Sequence, residues 1–153
     1  MKTAKDLLNE KDIQPISVTP DSTIHSALLK MSANKIGAML VEDETGIIGI
    51  YTERDLLKNS AKEDFDPKKA IISDYMTSNL IKVTHDTTIY KMMDIFLGKR
   101  IRHLLVEEND QIIGLLSTGD VVKADLMSKT QELENLNKIV SFEYYSNWQW
   151  KKK

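Results

Sequence analysis

Cysteine is absent from this chain of 153 residues, which excludes disulfides, thiol catalysis and zinc sites with cysteine ligands. Long apolar runs are missing as well. Residues 1–10 carry four charged side chains, so we do not expect a secretory signal, and no stretch approaches the roughly 20 apolar residues of a membrane span. We therefore expect a protein of a reducing compartment, located in the cytoplasm.

An excess of one charge is also lacking, because 21 basic and 23 acidic residues give a net charge of -2. This balance argues against nucleic acid as a partner. Motifs of catalysis are missing too: there is no nucleophile with an adjacent base, no HExxH, no P-loop and no GxGxxG, and three scattered histidines make no metal cluster. We expect no enzyme, no catalytic residue, no catalytic cofactor and no metal site.

An internal repeat dominates what is present. Residues 16–58 align without a gap on residues 81–123, an offset of 65 positions, and fifteen of the 43 aligned pairs are identical. Average composition would give only about two or three identities. A chain of this length suits one domain, or two half-size repeats that share a fold. We predict the second arrangement.

Each repeat has the pattern of a strand, a helix, two further strands and a last helix. The first helix has an amphipathic stripe at i, i+3, i+4 and i+7, and the next two apolar runs flank a short polar loop, which is typical of a hairpin. Such a unit cannot cover its own apolar faces, so two units should pack together. The apolar pairs of the last helix, expected to face the core, are Leu56 with Leu57 and Val121 with Val122.

Five segments of the chain are the most specific for a family: IGAMLV (36–41), GIYTERD (49–55), YMT (75–77), IRHLLV (101–106) and GLLSTGD (114–120). With these segments the chain resembles the CBS domain, named for cystathionine beta-synthase and found in pairs called Bateman modules. The likeness extends from residue 1 to about residue 126. Residues 3–8 also resemble the lead-in helix of stand-alone bacterial pairs that carry no enzyme domain.

The fold class that follows is α+β: two repeated β-α-β-β-α CBS motifs packed as one pseudo-twofold module, with a lead-in N-terminal helix and an extended C-terminal helix. We divide the chain into a lead-in segment (1–15), the first repeat (16–60), a linker (61–75), the second repeat (76–127) and a C-terminal helix and tail (128–153). Charged residues and Pro67 predict that residues 60–70 lie on the surface.

The resemblance implies a ligand in a cleft between the repeats, with Ser or Thr near phosphate and Asp on the ribose hydroxyls. Those positions here are Thr52 with Asp55 and Ser117 with Asp120. A carboxylate accepts strong hydrogen bonds from two ribose hydroxyls at once, and a helix N-terminus favours phosphate. The same spacing also fits a helix capping box, although that motif prefers Glu or Gln to Asp. The pattern alone leaves both interpretations open.

An adenine base needs flat apolar walls, and the resemblance implies that the repeats exchange these walls. Each wall residue could equally belong to the ordinary core. The first site would use Leu80, Ile81 and Ile50, and the second site would use Pro15, Ile16 and Leu115.

Basic groups for phosphate are unequal between the repeats. Arg102 and His103 align with Gly37 and Ala38, and Arg54 aligns with a glycine. Because neighbouring strand residues point to opposite faces, we expect that Arg102 and His103 do not both address one phosphate. His103 equally fits a boundary residue without a ligand, and Arg54 a solvated helix residue.

We therefore predict a regulatory module that binds an adenine nucleotide, such as AMP, ADP, ATP or an NAD(H)-type ligand, and that signals to a regulated protein of unknown identity. S-adenosylmethionine carries the same adenosine. The alternative is a ligand-free CBS scaffold for dimerisation and interaction. Retention of Asp55 and Asp120 with their hydroxyl partners favours the nucleotide. We also expect a homodimer that forms through exposed helix faces.

The C-terminal tail differs in composition from the rest of the chain. The last helix is predicted to run past the second repeat, and three lysines end the chain. We expect the tail to pack against the module or a dimer partner, and do not expect membrane contact through it. Its aromatic residues are Phe142, Tyr144, Tyr145, Trp148 and Trp150.

Overall fold

The computed structural model of the chain describes residues 1–11 and 14–147, with side chains described as far as residue 138. The aromatic tail predicted above therefore lies outside the described side chains. The lead-in helix is α1 (Ala4–Lys11). The first repeat contains β1 (Ser17–Val18), α2 (Ile24–Asn34), β2 (Ala38–Asp43), β3 (Gly46–Thr52) and α3 (Glu53–Ser60). After α4 (Ile72–Tyr75), the second repeat contains β4 (Lys82–Thr84), α5 (Ile89–Lys99), β5 (His103–Glu108), β6 (Gln111–Ser117) and α6 (Thr118–Asn147).

The two repeats form three-stranded sheets of identical topology, β1-β2-β3 and β4-β5-β6. In each sheet the first strand runs parallel to the second, and the second pairs antiparallel with the third. The registers differ by the same 65 positions, since Ser17 pairs with Leu40 and Lys82 pairs with Leu105. The predicted α+β fold, with two β-α-β-β-α repeats, a lead-in helix and a long last helix, is confirmed.

Matching signals begin and end the first helix of each repeat. Thr23 and Thr88 are the N-caps of α2 and α5, and each hydroxyl accepts a hydrogen bond from a backbone N–H three residues on, which satisfies one free donor of the helix. Lys35 and Arg100 end these helices in the left-handed conformation, with φ of 53° and 52°. Identical local chemistry thus produces the same helix twice.

The core of each repeat is completed by a helix that lies outside that repeat in the sequence. Helix α1 completes the core of the second repeat, and α4 completes the core of the first. Ala4 and Leu7 of α1 are buried in the core of the second repeat, against α5, β5, β6 and α6. The backbone N–H of Ala4 donates to the carbonyl of Thr87 over 2.8 Å. Ala70 and Ile72, just before and within α4, are buried in the core of the first repeat. The lead-in helix therefore belongs structurally to the second repeat.

Two sequence-based expectations are wrong in part. Residues 60–70 are mostly exposed, as predicted, but Ala70 is buried in the first core, because α4 closes that core and brings its preceding residue inside. The paired residues of the last helices do not face inward together: Leu57 is 72% exposed and Val122 is 41% exposed. Adjacent residues on an α-helix lie about 100° apart, and here the core-facing side of each helix includes Leu56 or Val121 but not the residue that follows it.

Candidate functional site

The Thr52 and Asp55 pair stands where β3 passes into α3. Thr52 is the N-cap, and its hydroxyl accepts from the backbone N–H of Asp55 over 3.4 Å. The Asp55 carboxylate oxygen Oδ2 in turn accepts from the Thr52 backbone N–H over 2.9 Å and from the Thr52 hydroxyl over 3.1 Å. The capping box is thus complete despite the short Asp side chain.

The Ser117 and Asp120 pair repeats this geometry where β6 passes into α6. Oδ2 of Asp120 accepts from the Ser117 backbone N–H over 2.7 Å and from the Ser117 hydroxyl over 2.8 Å. Unlike Asp55, it also accepts from the ammonium group of Lys11 over 2.8 Å. Burial by itself would raise the pKa of Asp120, but the hydrogen bonds from Lys11 and Ser117 outweigh burial and hold this pKa below its ordinary value.

Capping and ligand binding are chemically compatible at both positions. Within the described residues, the hydrogen bonds of Asp55 and Asp120 to the cap use only the oxygen Oδ2. A carboxylate has two oxygens and about four acceptor positions. The second oxygen of each carboxylate is therefore left for a further donor, such as a ribose hydroxyl, while the first fixes the orientation of the side chain.

A cavity of about 230 Å³ lies beside Thr52 and Asp55, and we call it the Thr52 cavity. It combines the first site's predicted residues from both repeats. Its predicted lining residues are Ile50, Thr52, Arg54, Asp55, Leu80, Ile81, Arg102 and His103. Arg102 and His103 line the same cavity although they are neighbours, because β5 begins only at His103 and the alternation of a strand does not apply to Arg102.

Several lining residues were not singled out by the sequence. Thr77 lies in a segment that carried the family resemblance, and its backbone forms a bridge with Ile50 through hydrogen bonds of 2.9 and 3.0 Å. Lys58 aligns with an identical residue, Lys123, in the second repeat, and this identity was the sequence signal that could have marked Lys58 as a site residue. Asn79 had no signal in the sequence. The residues of the cavity that our site prediction omitted are Gly37, Glu53, Lys58, Thr77, Asn79, Ile101 and Leu105.

Positive charge predominates around the Thr52 cavity, with Arg54, Lys58 and Arg102 against the carboxylates of Glu53 and Asp55. Arg54 donates one hydrogen bond to the carbonyl of Arg100 over 2.7 Å, which ties α3 to the end of α5 and leaves other guanidinium donors available.

His103 is the remaining titratable group of this lining. Burial lowers its pKa, and the nearby carboxylate of Glu53 offsets only part of that effect. Neutral His103 adds no charge at pH 7, so the described lining carries three cations and two anions.

The predicted walls of the second site are dispersed. Pro15 lines another cavity, of about 370 Å³, with Lys5, Leu8 and Gln14 among its neighbours. Ile16 packs against the core of the first repeat. The carbonyl of Leu115 accepts from the Lys11 ammonium group over 3.4 Å. Neither of the two cavities is lined by Ser117 or Asp120.

Two other kinds of site were sought in the described part of the chain. No helix there is long and apolar enough to cross a membrane. No group of three or more histidine, aspartate or glutamate side chains there is arranged to hold a metal ion.

The chain matches the CBS domain family over residues 4–62 and 72–127. It therefore belongs to this family, as the sequence resemblance indicated. Among curated proteins, the CBS domain-containing protein CBSX3, mitochondrial, of Arabidopsis thaliana is 33% identical over 131 residues. That match covers 82% of this chain and 64% of the Arabidopsis protein. The chain thus spans somewhat less than two thirds of this relative's length.

Solved structures give the same result. The CBS-domain containing protein ATU1752 of Agrobacterium tumefaciens is 41% identical, with a TM-score of 0.76 over 81% of this chain and 99% of that one. The CBS domain protein NE2398 is 37% identical, with a TM-score of 0.77 over 82% and 99%.

Three more distant structures share the fold and contain ligands. PAE2072 of Pyrobaculum aerophilum, complexed with AMP, is 20% identical with a TM-score of 0.68 over 78% of this chain and 89% of that one. CBSX2, in complex with AMP, is 24% identical with a TM-score of 0.69 over 84% and 99%. The CBS pair of MJ0100, with 5'-methylthioadenosine and S-adenosyl-L-methionine, is 22% identical with a TM-score of 0.72 over 84% and 98%. CBS domain pairs related in fold thus bind adenosine-containing ligands.

Proposed function

We propose that this chain is a non-catalytic regulatory module that binds a phosphate-bearing adenosine ligand in the Thr52 cavity. The observation that carries the proposal is the composition of that single cavity. It places a hydroxyl and carboxylate pair, apolar side chains from both repeats and three cationic groups around one space. The AMP complexes of PAE2072 and CBSX2 support an adenosine ligand for a protein of this fold.

Each part of the ligand has a candidate partner in this cavity. Asp55 would accept from the ribose hydroxyls through its free oxygen, since charge-assisted hydrogen bonds are stronger than neutral ones. Ile50 and Ile81, with Leu80, would contact the faces of the adenine base. Thr52, Lys58 and Arg102, with Arg54, would face the phosphate. The surplus of positive charge favours AMP, ADP, ATP or an NAD(H)-type ligand over the cationic sulfonium of S-adenosylmethionine.

A second site of the same kind is proposed at Ser117 and Asp120, with Ile16 and Leu115 as apolar neighbours. Its support is the capping geometry, which repeats that of the first site bond for bond. His103 is proposed only as a neutral donor or acceptor at the edge of the Thr52 cavity, because its pKa is lowered.

The biological setting remains part of the proposal. We propose that ligand binding alters the affinity of the module for a regulated protein, that the module acts as a homodimer, and that it acts in the cytoplasm. The homodimer is supported by apolar side chains exposed on helices of both repeats, among them Leu29, Leu57, Leu97 and Val122.

Calorimetric titration of nucleotide-free protein with AMP and with adenosine tests the ligand assignment. Asp55→Asn retains an oxygen for the cap but loses the charge. A hydrogen bond to a charged group contributes about 1.5 to 3 kcal/mol, so we expect both ligands to bind roughly 10- to 150-fold more weakly. Arg102→Ala should weaken AMP by a factor in the same range and leave adenosine unchanged, because adenosine has no phosphate.

Asp43→Asn is the matched control. Asp43 lies at the opposite end of the same hairpin, where its carboxylate accepts from the backbone N–H and the hydroxyl of Thr45, so both affinities should be unchanged. If the unaltered protein binds neither ligand at millimolar concentration, the ligand-free scaffold replaces this proposal.

A further inference from the structure

Lys11 occupies the polar groups of the second site. Its ammonium group donates to Oδ2 of Asp120 over 2.8 Å and to the carbonyl of Leu115 over 3.4 Å. The side chains of Lys11 and Asp120 are only 27% and 28% exposed, so this ion pair is partly shielded from water. The carboxylate that a ribose would need therefore already has a charged partner within the chain.

The first site has a different neighbour at the equivalent place. The backbone of Ile50, which aligns with Leu115, is bridged by the backbone of Thr77, and no cation bonds to Asp55 among the described residues. In the part of the chain that the structure describes, the carboxylate of Asp55 accepts hydrogen bonds from its own cap alone. Open space, the Thr52 cavity, remains beside it.

The length of the incoming helix explains this difference. Thr3 forms an antiparallel bridge with Thr88, and Ile71 forms the equivalent bridge with Thr23, so α1 and α4 enter their repeats in the same way. After that point α4 has four residues and α1 has eight. The chain after α4 becomes extended and pairs with β3, whereas α1 continues and ends with its last residue, Lys11, beside Asp120.

We infer that Lys11 is an internal ligand of the second site, so that each chain binds one adenosine-containing ligand and admits a second only when Lys11 leaves Asp120. The inference rests on the proposed function, because it assumes that the cap aspartates hold ribose. The second site is short of space: neither of the two cavities is lined by Asp120, and the ammonium group of Lys11 lies where a ribose would have to approach this carboxylate and the carbonyl of Leu115.

Docking of α1 and occupation of the second site are consequently coupled. A ligand that binds Asp120 must release Lys11, and by reciprocity any partner that holds the end of α1 in place weakens binding at the second site. The ligand affinity of the second site would thus depend on whether the lead-in helix is docked, while the Thr52 cavity binds its ligand independently of that helix.

The test is calorimetric titration with AMP of the full chain and of Lys11→Met, which keeps the apolar stem of the side chain. We expect one AMP per chain for the unaltered protein and two for Lys11→Met, with the affinity of the second site raised at least about tenfold. Adding Asp120→Asn to Lys11→Met should restore a stoichiometry of one.

Lys5→Met is the matched control, because Lys5 is on the same helix and pairs with Glu108 over 2.6 Å rather than with Asp120. It should retain one AMP per chain. Two sites in Lys5→Met would show that loosening α1 suffices, and would overturn the specific role of Lys11.

The other outcomes separate this inference from the proposed function. Two AMP in the unaltered protein, or one AMP in both the unaltered protein and Lys11→Met, overturns the inference and leaves the Thr52 cavity as the binding site. No binding in the unaltered protein but one AMP in Lys11→Met supports the inference and overturns the first-site assignment. No binding in either protein overturns both. Weaker AMP binding in Lys11→Met would make Lys11 a phosphate ligand and also overturn the inference.

Discussion

The two candidate sites differ although the repeats that form them have the same strand registers and the same capping geometry. Both sheets contain the same pairings shifted by 65 positions, and both aspartates close a capping box. The difference lies in the segment that docks from outside each repeat. An extended backbone meets β3 beside Asp55, and a lysine meets β6 beside Asp120. Local similarity therefore does not make two sites equivalent.

One glycine in each repeat allows this docking. A Cβ on Gly114 would lie 2.6 Å from Cδ2 of Leu8 in α1, and a Cβ on Gly49 would collide with Sδ of Met76, just after α4. Real Cβ atoms do not approach other atoms so closely, so each incoming segment can pack here only because the glycine has no side chain. The identical glycines thus serve one packing role, while the residues that follow them determine what each site offers.

The largest effect should come from removing the side chain by which the lead-in helix enters the second core. We predict that Leu7→Ala lowers the free energy of unfolding by about 2 to 4 kcal/mol, as for other buried leucines. Hydrogen exchange should show the loss of protection first in α5 and β6, since Leu7 packs in that core.

Leu29→Ala serves as the control, because Leu29 is 59% exposed and such surface changes stay within about 0.5 kcal/mol. Protection lost first in α2 and β3 after Leu7→Ala would contradict the placement of α1 on the second repeat.

A moderate effect is expected at Leu57 and Val122, which occupy the same position in the two repeats and are both exposed. If both helices meet a second copy of the chain, Leu57→Lys and Val122→Lys should each weaken the dimer at least about tenfold. Burial of one such apolar side chain contributes about 1.5 to 3 kcal/mol. Sedimentation velocity over a concentration series measures the shift.

Lys58→Glu next to Leu57 is the control for an added change of charge. A chain that stays monomeric at high concentration would refute the dimer. Dissociation by only one of the two lysine variants would show that the repeats contribute unequally to the contact.

The smallest effect concerns the pH dependence of the Lys11 contact. Because the pKa of Asp120 is lowered in the folded chain, its contribution to stability is present above the unfolded-state value of about 3.8. It is lost as the pH falls below that value and Asp120 becomes protonated. Partly exposed ion pairs contribute about 1 kcal/mol or less.

We therefore expect Lys11→Met to lower the free energy of unfolding by up to about 1 kcal/mol at pH 6, and we expect this effect to shrink as the pH falls below about 3.8 and Asp120 becomes protonated. Urea unfolding at several pH values measures this difference. In an Asp120→Asn background the effect of Lys11→Met should not vary with pH, and a variation there would assign it to another group.

Prediction from the sequence succeeded where periodic patterns and local motifs determine the result. The repeat located every strand and helix of the two units, and the spacing of Thr52 with Asp55 and of Ser117 with Asp120 offered a helix cap as one of two interpretations. The family resemblance also named Ile50, Ile81 and Arg102, which now line one cavity. The sequence pattern could not predict which residue of an adjacent apolar pair, such as Leu56 and Leu57, faces the core, because that depends on the exact rotation of the helix about its axis.

Local signals in the sequence specify two repeats with the same strand registers, because hydrophobic periodicity, caps and turns act over a few residues and are present twice. Tertiary structure alone decided which segment completes each core and what lies beside each aspartate. The contact of Lys11 with Asp120 joins residues 109 positions apart, and it depends on where a helix of eight residues ends after docking. No short-range pattern encodes the contact between Lys11 and Asp120, since the contact forms only when the lead-in helix packs on the second repeat.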